Sequence, residues 1–173
     1  MVSQIVQDAI NVQINNEFSA SYTYLAMSAF CERQNFLGCA RWLRIQSQEE
    51  YSHGIKLFDF LLARNGSVNL KSVPEPEVKF KSVADVFEQA LKQEEGVSHQ
   101  IDMLYELAFK EKAFAALVEL QWFLTEQVEE ERSAREIVAK FKMVGNDPAS
   151  LLDLDRELGS RSLASIRASA PAT

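Results

Sequence analysis

The first proline of this chain is Pro74, and before it only Gly38, Gly54 and Gly66 interrupt the run of helix-compatible residues. A stretch so poor in helix breakers, with apolar side chains recurring at a helical period, is constrained to form long helices. The whole chain of 173 residues holds six Gly and four Pro, roughly half the usual frequency, so its turns must be few. In the first predicted helix, Val6, Ile10, Gln13, Glu17, Ala20, Tyr24, Met27 and Cys31 alternate steps of three and four and draw one inward stripe. After a break expected near Gly38, the stripe resumes with Cys39, Leu43, Gln46, Glu50, His53, Leu57 and Phe60. Gly66 stands where a C-cap glycine is expected.

From Gly66 to Lys81 the helical stripe is lost, and Pro74 and Pro76 fall in this stretch. Read as an extended crossover, its ~15 residues can span about 50 Å at about 3.3 Å per residue. That is enough to traverse a helix of about 28 residues rising 1.5 Å each, so helices two and three are expected to run parallel. Ser82 is the expected N-cap of a third helix, with Asp85 in its first turn. Its stripe is Val83, Phe87, Ala90, Glu94, Val97, Ile101, Leu104 and Ala108. A fourth helix starts near Ala113 and is read through Phe114, Leu117, Leu120, Leu124, Gln127, Glu130, Ala134, Ile137 and Phe141 to Gly145. Asn146-Asp147-Pro148 opens a short fifth helix, Ala149 to Leu158, closed by Gly159. The fold class is all-α: one four-helix domain over residues 1–160, with residues 161–173 expected as a tail.

Charge and composition narrow the function classes. The formal charge is −7, which argues against nucleic acid, because affinity there comes from Lys and Arg neutralising phosphates. No run of about 20 apolar residues suggests a membrane span, and the N-terminus shows no secretory pattern. A cytoplasmic setting is expected, or a plastid if a transit peptide has been removed. Cys31 and Cys39 fit no metal spacing and read as small buried fillers.

Each long stripe is broken near its middle by polar groups: Glu17, then Glu50 with His53, then Glu94, then Gln127 with Glu130. An unpaired buried carboxylate costs several kcal/mol, so four in one core require a common cause. Their depth supplies it. With turns near residue 35 and near residue 111 or 112, all six groups lie about 15 to 19 residues from a turn, in one layer. A pair of divalent metals would remove the repulsion among the carboxylates. Glu50 and His53, spaced i, i+3, can reach inward together. Oxygen donors with a single imidazole favour Fe or Mn over a thiolate-type zinc site. Four-helix di-iron carboxylate proteins use this layout, with Glu on two helices and Glu-x-x-His on the others. Here the fourth helix offers Gln127-Val128-Glu129-Glu130 instead, so a second metal would have fewer ligands.

Asn15-Asn16-Glu17-Phe18-Ser19-Ala20-Ser21-Tyr22-Thr23-Tyr24, Gln48-Glu49-Glu50-Tyr51-Ser52-His53, Glu94-Glu95 and Glu126-Gln127-Val128-Glu129-Glu130 together resemble the ferritins, in the non-haem form found in bacteria and some algae. The resemblance covers roughly residues 1 to 160 and implies a ferritin-like four-helix bundle with a long crossover between helices two and three and a short fifth helix. It implies a 24-subunit homo-oligomeric cage that oxidises Fe(II) with O2 or H2O2 and stores Fe(III) mineral. Residue by residue, it implies a first iron held by Glu17, Glu50 and His53. A second is held by Glu94 and Glu130, with Glu50 bridging and Gln127 nearby. Glu49, Glu126 and Glu129 match a third iron position nearer the inner surface; as bare residues they also read as a solvated face. Tyr24 matches a family tyrosine near the di-iron centre and reads equally as a core aromatic.

Some positions depart from related patterns. Bacterioferritins carry a second Glu-x-x-His and a haem-ligating Met where this chain has Tyr51, so no haem is expected. Animal ferritins place channel acids at the positions of Leu117 and Leu120, for which Glu119 and Gln121 are substitutes. Gly54 and Gly96 fall mid-helix beside the site, each at about 1 kcal/mol relative to Ala; close packing or local flexibility would account for them. His99 is expected at the surface. Two rivals stay open: a di-iron oxidase or peroxidase of the rubrerythrin kind without storage, weakened by the absence of a Cys-x-x-Cys module, and a non-catalytic metal-buffering assembly.

Overall fold

The structure, a computed structural model, describes residues 2–76 and 79–161. Among them are five helices and no strand: α1 (Gln4–Arg33), α2 (Leu37–Ala63), α3 (Val83–Lys110), α4 (Phe114–Val144) and α5 (Pro148–Gly159). Residues 162–173, most of the expected tail, lie outside the described residues.

Three helices end in the same way. Asn35, Asn65 and Lys112 adopt left-handed backbone with φ of 62°, 56° and 54°. The next amide in each case reaches back five residues: Phe36 to Cys31 at 3.0 Å, Gly66 to Leu61 at 2.8 Å, Ala113 to Ala108 at 2.9 Å. This is the Schellman closure, which satisfies the orphan carbonyls of a helix end. The expected glycine signals were thus displaced by one residue or more. Asn65, not Gly66, turns left-handed after α2, and the α1–α2 break falls at Asn35, at the turn expected near residue 35 and three residues before Gly38. Asn tolerates that region because its short polar side chain bonds locally. Ser82 caps α3 by accepting from Asp85 N at 3.1 Å, and Asp147 caps α5 by accepting from Ser150 N at 2.8 Å.

Side-chain contacts set the helix directions. Ser21 and Ser28 of α1 donate to the Ser47 and Ala40 carbonyls of α2 at 2.6 and 2.8 Å, so α1 and α2 are antiparallel. Asn16 pairs with Gln100, whereas Tyr24, farther along α1, pairs with Glu94, so α3 is also antiparallel to α1. Helices α2 and α3 therefore run parallel, as the long crossover allows. That crossover lies along a ladder on α1. Gln7 accepts from Ser67 N, Asn11 bridges Ser67 O and Asn69 N, and Asn15 bridges Asn69 O and Lys71 N. Three amides at i, i+4 spacing thus pair with extended backbone that would otherwise lack partners.

The inward stripes of α1 and α3 are buried at every expected position. In α2, Leu61 is buried and Phe60 is not. The start of α4 was misphased. Phe114 is 70% exposed and Leu117 and Leu124 are half-buried, while Ala116, Leu120 and Phe123 face inward. The three-four alternation from Gln127 backwards leads to Phe123, Leu120 and Ala116; Phe114, Leu117 and Leu124 mark a neighbouring face.

The buried apolar residues form two clusters. One contains Val6, Ile10, Ile14, Leu57, Leu61, Ile101, Leu120 and Phe123. The other contains Met27, Leu43, Trp42, Phe87, Phe141, Leu154 and Leu158. Cys31 and Cys39 are free thiols in this second core. Helix α5 docks on the start of α2, where no local side chain caps the helix. Asp155 supplies the cap from α5, accepting from Gly38 N at 3.1 Å and Cys39 N at 2.8 Å. Gly38 is needed for this approach, since a Cβ there would lie 1.7 Å from Asp155 O.

Candidate metal centre

The polar layer lies between the two apolar clusters. Glu17, Glu50, His53, Glu94, Gln127 and Glu130, the six groups expected at one depth, are all buried, as is Tyr24. Three of them converge: Glu17, Glu50 and His53 each offer a ligand atom, all within 4.8 Å of one another. His53 Nδ1 stands 3.3 Å from Glu50 Oε2. Its ring meets Trp122 and Phe123 edge-on, with centroids 5.3 and 6.0 Å away. Gln13 donates to Glu17 Oε1 at 2.9 Å. Glu17 Oε2 and Glu50 Oε1 are buried with no partner among the described residues. Such oxygens are costly unless a cation or proton reaches them.

Glu94 and Glu130 are held differently. Tyr24 donates its hydroxyl to Glu94 Oε1, and Gln127 Nε2 lies 3.4 Å from Glu94 Oε2. Gln46 Nε2 donates to Glu130 Oε2 at 2.8 Å. This second half of the layer is therefore occupied by hydrogen bonds.

Burial dominates the electrostatics. It pushes the Glu17 and Glu94 carboxyls up to about 7, against the hydrogen bonds from Gln13 and from Tyr24 and Gln127. Burial followed by repulsion from Glu94 raises Glu130 to about 8, with Arg161 and Gln46 opposing. Glu50 is raised well above the carboxylate range by burial, then by Glu94, Glu17 and Glu130. Burial and the nearby Lys56 lower His53 to about 4, which keeps its imidazole neutral and able to ligate. Tyr24 is raised by burial and by Glu94, so it stays a hydroxyl donor.

The outer trio is less unified. Glu49 is buried, Glu126 half-buried and Glu129 exposed. Glu129 pairs with Arg132 at 3.4 Å. Glu49 is gripped by Arg161, whose Nη2 lies 3.0 and 2.8 Å from its two carboxylate oxygens. Burial and Glu130 raise Glu49 to about 7, with Arg161 opposing.

Mid-helix Gly54 admits the Phe18 ring, which would stand 2.6 Å from a Cβ there, whereas Gly96 faces open space. Glu119, a candidate channel acid, pairs with Lys56 at 3.0 Å. His99 is exposed. Sequence reasoning passed over Gln13 and Gln46 as partners, although both sit on the inward stripes four residues before Glu17 and Glu50. For Arg161 and Asp155 no local pattern signals the role, because both act across the fold.

A four-helix bundle with a buried, desolvated carboxylate–imidazole layer is the architecture that helical metal-carboxylate proteins use. The ferritin-like domain family model matches residues 7–144. A bacterial non-heme ferritin of Staphylococcus saprophyticus is 36% identical over 162 residues, covering 94% of this chain and 97% of the relative. One of Staphylococcus aureus is 33% identical over 161 residues, covering 93% and 97%. Among solved structures, an open-pore ferritin from the hyperthermophilic archaeon Archaeoglobus fulgidus matches with a TM-score of 0.92 and 41% identity over 94% of this chain and 100% of that one. A form of it engineered to be closed matches equally, over 99% of its chain. The chain belongs to the ferritin family. Among the described residues no helix is long and apolar enough to cross a membrane.

Proposed function

We propose that this protein is an iron-storage ferritin with ferroxidase activity, oxidising Fe(II) inside each subunit and storing Fe(III) mineral in a 24-subunit cage. The observation that carries the reading is the convergence of Glu17, Glu50 and His53 within 4.8 Å, with two buried carboxylate oxygens lacking partners. Iron is substrate and cargo here. One Fe(II) would be held by these three groups, and a second by Glu94 and Glu130 with Glu50 between them. Each ion gives one electron to O2 while the protein keeps them close together and leaves positions open to the oxidant. Gln127 would orient Glu94. Tyr24 would hold Glu94 in place through its hydroxyl until iron displaces that bond. Glu49, Glu126 and Glu129 would give a third ion only weak, passing contact on the way to the interior, since Arg161 already holds Glu49.

The test is anaerobic loading with two Fe(II) per subunit followed by rapid mixing with O2. Wild type should show a fast optical change that Glu50→Ala and His53→Ala abolish. Wild-type rates in either variant would overturn the site. A particle mass close to 24 subunits separates storage from a small oxidase.

A further inference from the structure

Arg161 follows the C-cap of α5 and turns its side chain back under the bundle. One guanidinium nitrogen reaches both oxygens of Glu49, and the other donates to Gln46 Oε1. The guanidinium carbon lies 4.9 Å from the centre of the Trp42 ring, whose face further stabilises the cation. The arginine side chain is 24% exposed and that of Glu49 is 7% exposed, so the pair is shielded and geometrically fixed. Two acids, Glu126 and Glu130, act on Glu49 from α4, and Glu129 acts on Glu126. The molecule therefore already seats one cation of its own in this acidic cluster.

A guanidinium nitrogen set between both oxygens of a carboxylate occupies the side on which that carboxylate would chelate a metal, and its charge repels any ion approaching the cluster. We propose that Arg161 is a specificity residue: as a tethered cation on Glu49 it takes the place of a third divalent ion and confines tight binding to the layer of Glu17, Glu50, His53, Glu94 and Glu130. This inference rests on the di-iron reading given above. Arg161 also fixes the Gln46 amide. Because Gln46 Oε1 accepts from Arg161, its Nε2 must point away, and it donates to Glu130. The cation thereby helps hold Glu130 in its hydrogen-bonded position.

The test is equilibrium binding of Mn(II) to the assembled, iron-free protein, with free ion read by electron paramagnetic resonance. Wild type should bind two ions tightly per subunit and a third weakly. In Arg161→Gln the third ion should tighten by about tenfold or more, while the first two stay within about threefold. Adding Glu49→Gln to that variant should abolish the gain. Arg161→Lys, which keeps the charge but not the two-oxygen grip or the stacking on Trp42, should tighten the third ion by clearly less than Arg161→Gln does. The inference is overturned if the third ion binds no tighter in Arg161→Gln, if the gain survives Glu49→Gln, or if Arg161→Lys tightens it as much as Arg161→Gln. A wild type that binds no ion in the layer would refute the di-iron reading, and the third-ion comparison would still decide the role of Arg161.

Discussion

Replacing Glu17 by Gln should stabilise the metal-free protein at alkaline pH. Glu17 is fully buried, one of its oxygens has no partner, and burial raises its carboxyl from 4.5 to about 7. Between those values the folded protein keeps a proton that the unfolded chain has released. Folded-state stability from this group is therefore complete below pH 4.5 and lost as pH rises through about 7. At about 1.4 kcal/mol per unit, the ionised carboxylate costs about 3 kcal/mol at pH 8. Gln has nearly the same volume, never ionises, and its new amide can donate toward Glu50, so the variant escapes that penalty. In melting temperature this is about 6 to 12 °C at pH 8, at ~2–4 °C per kcal/mol for a chain of this size. At pH 5 the advantage should shrink to about 1 kcal/mol. His53 titrates in the opposite sense, from 6.5 down to about 4, so its stabilising contribution is lost as pH falls through that window. It is present in both proteins and cancels in the difference. The assay is thermal unfolding of EDTA-dialysed wild type and variant at pH 5 and pH 8. Equal stability at pH 8, or a gain independent of pH, would refute the claim that the layer is a desolvated charge site.

Two further outcomes test the frame around the layer. Gly38→Ala should lower the urea midpoint by the equivalent of about 3 kcal/mol and expose α5 to protease, since a Cβ there would meet backbone atoms of Asp155 and Gly159 at 1.7 and 2.9 Å. An unchanged midpoint would mean that α5 docks by other means. Lys112→Gly should raise the midpoint by up to about 1 kcal/mol, because Lys112 holds φ of 54° at an exposed turn where glycine carries no steric strain. The greater freedom of glycine in the unfolded chain reduces that gain, and a fall in midpoint would show that the left-handed lysine is unstrained.

Helical period made most of this structure legible in the sequence. In α1 and α3 every position picked out by a strict three-four alternation is buried, the acids included, because a long straight helix in a bundle offers one inward face; Asn11, Ile14, Ser28 and Val86 are buried beside that stripe. The candidate layer was legible for the same reason: equal distance from a turn means equal height in an antiparallel pair. Misreadings occurred where two features competed. Phe114, Leu117 and Leu124 also lie three or four residues from their neighbours on the stripe, but only Ala116, Leu120 and Phe123 keep the three-four alternation with Gln127. The end of α2 was read from Gly66, whereas Asn65 makes the left-handed turn; the turns expected near residue 35 and near residue 111 or 112 fall at Asn35 and Lys112. What no local pattern carries is contact across the chain: the Asp155 cap on α2, the amide ladder under the crossover, and the arginine on Glu49.

The two halves of the layer are built for different tasks. Among the described residues Glu17 and Glu50 each keep one oxygen with no donor, whereas Glu94 and Glu130 hold donors from Tyr24, Gln127 and Gln46. Under the proposed reading, the first position pulls in a cation to relieve its own desolvation, and the second must break hydrogen bonds to accept one. That asymmetry suits a substrate that has to leave. A centre with every ligand unpartnered would bind metal as a permanent component, and one with every ligand satisfied would bind none. The apolar clusters on either side, one closed by the Phe87–Phe141 stack with centroids 5.1 Å apart, keep the bundle folded whichever state the layer is in. On the same reading, stability is located in the apolar ends, and the desolvated middle is left free to exchange cations.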